Sequence, residues 1–175
     1  MEILPGQVGL ARTDPADRRT LWRRAFVAAS VAWAIAVPLA PLAASRSHPN
    51  VVAFAFVYSA YAIGSIICHQ ISARSFYLWS LPLPVCARCT GIYVGAAVTA
   101  LAGMARTPDP SAVERARIDA DRTARFRRIL FLAVLPTAAT LVYEWTTGDT
   151  PGNVLRALAG APIGAAVAWI IREVN

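Results

Sequence analysis

The chain has 175 residues, 57% of them apolar and only 15% charged, with a mean hydropathy of +0.48. A soluble domain carries about 45–50% apolar and about 25% charged residues, so the composition excludes a water-soluble globule and indicates one integral membrane domain. The net charge of +7 comes from 17 arginines and no lysine, set mainly in two blocks outside the apolar stretches. With no aromatic-interleaved groove beside them, they read as anchors on anionic membrane lipids and not as a nucleic-acid footprint.

Residues 1–24 form a polar, basic tail containing Arg12, Arg18, Arg19, Arg23 and Arg24. The apolar run 25–44 behind it reads as a first transmembrane helix, with Pro38 and Pro41 expected to kink its far end. A turn at 45–50 carries Arg46 and His48, a solvated histidine with no co-ligand in sequence nearby. Residues 51–67 form a second span, which at about 1.5 Å per residue crosses most of a roughly 30 Å hydrocarbon core.

That span delivers the chain to the segment 68–91, CHQISARSFYLWSLPLPVCARCTG, which holds all three cysteines and one of the two histidines. Cys68 and His69 are adjacent, Cys86 and Cys89 form a Cys-x-x-Cys knuckle, and sixteen residues separate the pairs, as in zinc-ribbon-like sites. Thiolate and imidazole suit tetrahedral Cys₃His coordination of Zn²⁺. Neighbouring side chains diverge along a helix or strand, so Cys68 and His69 share an ion only if the backbone turns sharply there. Pro82 and Pro84 rule out an ordinary helix between the pairs, leaving a loop or re-entrant hairpin held at the interface by Phe76, Tyr77 and Trp79.

Thr90 is a candidate N-cap for a third span, 90–105, with a Gly91/Gly95 packing face. The knuckle then sits at a helix N-terminus, where the helix dipole and Arg88 both favour thiolate at Cys86 and Cys89. Residues 106–128 are the most polar part, read as a proline-interrupted connector and a short charged surface helix. The fourth span, 129–145, contains Pro136 and ends with Glu144 between Tyr143 and Trp145. A turn at 146–152 contains Asp149 and leads to a fifth span, 153–171, with Asn153 and Arg156 near its start and a Gly160/Gly164 face. The expected fold is an all-α, multi-pass bundle of about five spans in the cell membrane, with either glycine face available to join copies of the chain into a homo-oligomer.

Counting crossings from the cysteine loop, the third span leaves that side of the membrane and the fourth returns to it. Cys68, His69, Arg74, Cys86, Arg88 and Cys89 therefore share a side with Glu144, Asp149, Asn153 and Arg156. Acids and arginines at membrane depth are costly enough to be functional candidates, and Glu144 and Arg156 can also simply pair across their turn. The arginine count on the two faces does not fix the absolute orientation.

Three functions fit these residues. Cys68, His69, Cys86 and Cys89 can hold one zinc ion that staples the loop. Alternatively, Cys86 and Cys89 can cycle between dithiol and disulfide, with Cys68 as exchange partner and a quinone or partner thiol as electron acceptor. In the third, Arg74, Arg88, Asn153 and Arg156, with Glu144 as acid partner, bind an anionic lipid headgroup or carry a small solute, arginine being suited to phosphate by its forked donors. Nothing resembles a P-loop, a Ser-His-Asp set or a zincin helix.

The strings Cys68-His69-Gln70, Arg74-Ser75-Phe76 and Pro84-Val85-Cys86-Ala87-Arg88-Cys89-Thr90-Gly91-Ile92-Tyr93, with Asn153-Val154-Leu155-Arg156 and Gly160 downstream, resemble the signature of a domain-of-unknown-function family of small bacterial and archaeal membrane proteins. The resemblance covers about residues 51–171 and implies a multi-pass protein defined by its cysteine and histidine residues, without an activity to carry over. Where such relatives have an aspartate at the end of the fourth span this chain has Glu144, one methylene longer.

Overall fold

A computed structural model describes residues 15–46, 48, 50–104 and 112–174. Among them are five α-helices: α1 Pro15–Ala44, α2 Val51–Ile67, α3 Ala87–Met104, α4 Ala112–Thr147 and α5 Asn153–Val174. The fold is the all-α membrane bundle expected. Thr20–Ala44, Arg122–Thr147 and Asn153–Glu173 are long and apolar enough to cross a bilayer, and α2 is a shorter apolar helix. Val51, Phe54 and Ile66 on α2 and Phe131 and Leu132 on α4 lie exposed, a surface that suits lipid and would aggregate in water.

α3 and α5 form the most extensive helix pair and run parallel, with α4 against α5 and α1 against both α2 and α3. Their close approach follows from the two glycine pairs. Gly91 and Gly95 lie under the backbone at Ala157 and Ala161, while Gly160 and Gly164 lie under the carbonyls of Arg88 and Ile92. Any Cβ at these positions would collide with backbone, which cannot swing aside. Small residues thus let two backbones touch where lipid supplies no hydrophobic drive for helix association. Each of the two glycine faces is covered by the other helix within one chain.

Three boundaries also differ from expectation. α1 starts at Pro15, before the apolar run, because the polar segment ahead of it continues as helix. The charged stretch after 111 is no separate surface helix; it is the first half of α4, which continues through Pro136 to Thr147. The prolines Pro108 and Pro110 of the expected connector lie outside the described residues. Thr90 is not a cap but lies in the first turn of α3; the Cys86 carbonyl accepts the Thr90 N–H at 2.9 Å, so Cys86 occupies the capping position.

The loop between α2 and α3 is ordered by local chemistry. A 3₁₀ turn, Ser72–Arg74, precedes a two-stranded antiparallel hairpin, β1 Tyr77–Leu78 and β2 Leu81–Pro82. Trp79 and Ser80 at its tip have φ of 52° and 64°, the left-handed pair that a tight two-residue hairpin turn demands. The tip thus presents Trp79, together with Tyr77, as exposed aromatics at the end of the bundle.

Candidate metal centre and adjoining ion cluster

Cys68 ends α2 in an extended conformation (φ −150°, ψ 146°), its N–H still donating to the Gly64 carbonyl. Consecutive side chains on extended backbone point to opposite sides. Cys68 is therefore buried among Val37, Leu83 and Val85, with Trp33, Phe76 and Tyr93 packed around them, while His69 is exposed. Cys86 stands just before α3 and Cys89 in its first turn, the knuckle at a helix N-terminus that the sequence indicates. The sulfurs of Cys68, Cys86 and Cys89 all lie within 4.8 Å of one another, and all three thiols are free. His69, expected as the fourth ligand, is not in this group, for the backbone reason just given.

The cluster is wired for negative charge. The Cys86 backbone N–H donates to the Cys68 sulfur at 3.2 Å. The Cys86 thiol is pulled down to about 5, chiefly by a hydrogen bond from the Cys89 thiol; burial opposes this, and the Cys89 and Arg88 N–H groups and the Cys68 thiol assist. The cluster therefore concentrates ionisation on one sulfur.

Several contacts fix the loop over α2. The Gln70 amide, at a residue with φ of 47°, donates to the carbonyls of Tyr61 and Pro84 at 2.7 and 2.8 Å. The Tyr61 hydroxyl donates to the Pro82 carbonyl. Gly64 leaves the space into which the Pro84 carbonyl and the Gln70 amide fit. From the other side, Asn153 at the start of α5 donates to the carbonyl of buried Ser75 at 2.8 Å.

Arg88 reaches from between the two knuckle cysteines to the end of α4, which brings Glu144 to the same end of the bundle as the cysteine loop. Its Nη2 donates to Thr140 Oγ1 at 3.1 Å and to Glu144 Oε1 at 3.2 Å. The same Oε1 accepts from Arg156 Nε at 3.1 Å, and Arg74 Nη1 lies 3.6 Å from Oε2. The Glu144 and Arg156 side chains are only 5% and 3% exposed, Arg88 is 18% exposed and Arg74, at the rim, 42%. Asn153 Oδ1 accepts from Arg156 Nη1 at 3.4 Å, so both ends of that amide are engaged in holding the site together. Asp149 is exposed in the turn after α4 and takes no part.

Sequence reasoning missed Trp33, Tyr61, Gln70 and Thr140. Gln70 stands beside the Cys-His pair in the quoted motif, but its clip depends on a left-handed backbone that sequence does not display. Trp33, edge-on to Tyr93 with ring centres 5.9 Å apart, packs from α1, which carries no motif, against the apolar cluster that holds Cys68.

The profile of DUF2085, a family described as predicted membrane protein, matches residues 68–170, more than half of the chain. An uncharacterised protein of Methanocaldococcus jannaschii is 53% identical over 38 residues, which are 22% of this chain and 24% of that protein. The match thus spans about a quarter of that relative's length. No solved structure matches.

Proposed function

The chain belongs to the DUF2085 family of predicted membrane proteins, and from that premise we propose that Cys68, Cys86 and Cys89 hold one zinc ion at the membrane surface. The observation that carries this reading is the mutual approach of three sulfurs within 4.8 Å. Zinc–sulfur bonds of about 2.3 Å at tetrahedral angles set sulfurs roughly 3.8 Å apart, so closure on an ion needs no sulfur pair to approach by more than about 1 Å. The Cys86 N–H on the Cys68 sulfur and the low-titrating Cys86 thiol suit a thiolate donor set. Three protein donors leave the fourth position to water or a small ligand, the arrangement of reactive rather than purely structural zinc sites. His69, exposed beside the cluster, is no longer required for it.

A redox reading keeps one observation in its favour, the low-titrating Cys86 beside Cys89, which is the form of an attacking thiol with a resolving partner. In it, two electrons and two protons leave the Cys86/Cys89 dithiol for a quinone as a disulfide forms. Metal analysis of the purified protein, combined with cysteine alkylation before and after chelation, separates the readings. The zinc reading expects near-equimolar zinc and three thiols protected until chelator is added. Metal-free protein that forms a Cys86–Cys89 disulfide on addition of quinone would replace it with the redox reading.

A further inference from the structure

The cluster around Glu144 carries more positive charge than its neighbours neutralise. Arg74, Arg88 and Arg156 converge on one carboxylate. Setting rim Arg74 aside, Arg88 and Arg156 still share a single oxygen of Glu144. Among the described residues, the other acid at this end, Asp149, is exposed in its turn, and Glu173 pairs with Arg172 on the last turn of α5. Glu144 thus matches only one of the two guanidinium charges that meet on it, beside the nearly buried Arg156 and the part-buried Arg88, a costly arrangement that a further anion would complete.

The hydrogen bonds point the same way. Arg156 Nη2 is buried without an acceptor on a side chain only 3% exposed, and Arg88 Nε is buried without one too. Both donors belong to the two guanidiniums that already meet at Glu144 Oε1. Water would satisfy the hydrogen bonds but not the charge. Guanidinium donors match the oxygens of a tetrahedral oxyanion better than they match a halide. Asn153 is engaged at both ends of its amide and supports Arg156 without offering a free group.

We propose that Arg88 and Arg156 bind a phosphate-type oxyanion beside Glu144, with Arg74 at the entrance. Exposed Tyr77, Trp79, Tyr143 and Trp145 surround this end of the bundle, the aromatic belt of a headgroup region, so the phosphate belongs to an anionic phospholipid or to a small soluble phosphate arriving at the surface. The site stands apart from the zinc reading, since it needs neither thiols nor metal.

The test uses the full chain in phosphatidylcholine nanodiscs, with and without chelator. Inorganic phosphate is titrated while thermal unfolding is followed, and native mass spectrometry is run after reconstitution with added phosphatidylglycerol. A saturable rise in Tm with phosphate identifies the soluble source, and one retained phosphatidylglycerol per chain identifies the lipid. Arg88→Lys and Arg74→Ala, which keep Arg156 and Glu144 in place, should each weaken the binding, Arg88→Lys by about tenfold or more because it keeps the charge but loses the fork. The proposal is overturned if neither probe binds, or if both variants bind as the parent does. Loss of binding on chelation alone would also overturn it and assign the anion to the metal.

Discussion

Replacing Glu144 by Gln keeps the side chain's shape and an accepting oxygen but removes the one carboxylate on which three guanidiniums converge. Its contacts with Arg88 and Arg156, at 3.2 and 3.1 Å, involve a glutamate only 5% exposed, so the change leaves buried charge uncompensated. Breaking a buried pair from one side costs about 3–5 kcal/mol. At about 1.4 kcal/mol per decade, that shifts the unfolding equilibrium by roughly two to three and a half decades. Arg74→Ala supplies the internal comparison. Arg74 is 42% exposed and 3.6 Å from the carboxylate, so its loss should cost under about 1 kcal/mol. Equilibrium unfolding in mixed micelles reads both variants on one scale. Added phosphate should recover part of the Glu144→Gln loss by supplying a replacement counter-charge. A Glu144→Gln variant no less stable than Arg74→Ala would refute the claim that this carboxylate neutralises buried charge.

Cys68→Ser removes one of three sulfurs and should lower zinc affinity by more than about 100-fold, since outer contacts alone change it by about 10–100-fold. His69→Ala, on an exposed side chain facing away from the sulfurs, should leave affinity unchanged in the same competition assay against a chromophoric chelator. In metal-free protein, alkylation of Cys86 should rise through about pH 5, since thiolate forms above the depressed value. Cys89→Ala removes the thiol that donates to Cys86 and should move that midpoint upward in a mass-spectrometric pH series. Gly164→Val drives side-chain atoms into the Ile92 backbone and should destabilise the bundle by about 1–3 kcal/mol or more. Gly152→Val, where nothing lies within 4 Å of an added Cβ, should cost much less in the same unfolding experiment.

The membrane class, the helical elements and the cysteine knuckle at a helix N-terminus are legible in the chain because composition, apolar run length and the Cys-x-x-Cys spacing are local properties. Crossing parity extends this one step further, grouping Glu144 and Arg156 with the cysteines from the number of spans alone. Helix boundaries were less legible. Polar residues in the first turns of α1 and in the first half of α4 extend a helix that apolar run length alone would start later, because helix propensity does not require an apolar side chain.

What the sequence determined by itself, then, is the inventory: helices to cross lipid, glycines to let two of them touch, three thiols, and one acid among arginines. The tertiary structure decided the assignments. Extended backbone at Cys68 sends that sulfur inward while His69 is exposed, so three of the four candidate ligands come together. The parallel packing of α3 on α5 joins the two glycine faces in one internal seam and brings Arg88 and Arg156 to the same carboxylate oxygen. Each of these outcomes depends on a backbone direction or an inter-helix distance, quantities fixed by the packing of the whole bundle rather than by any residue's own chemistry.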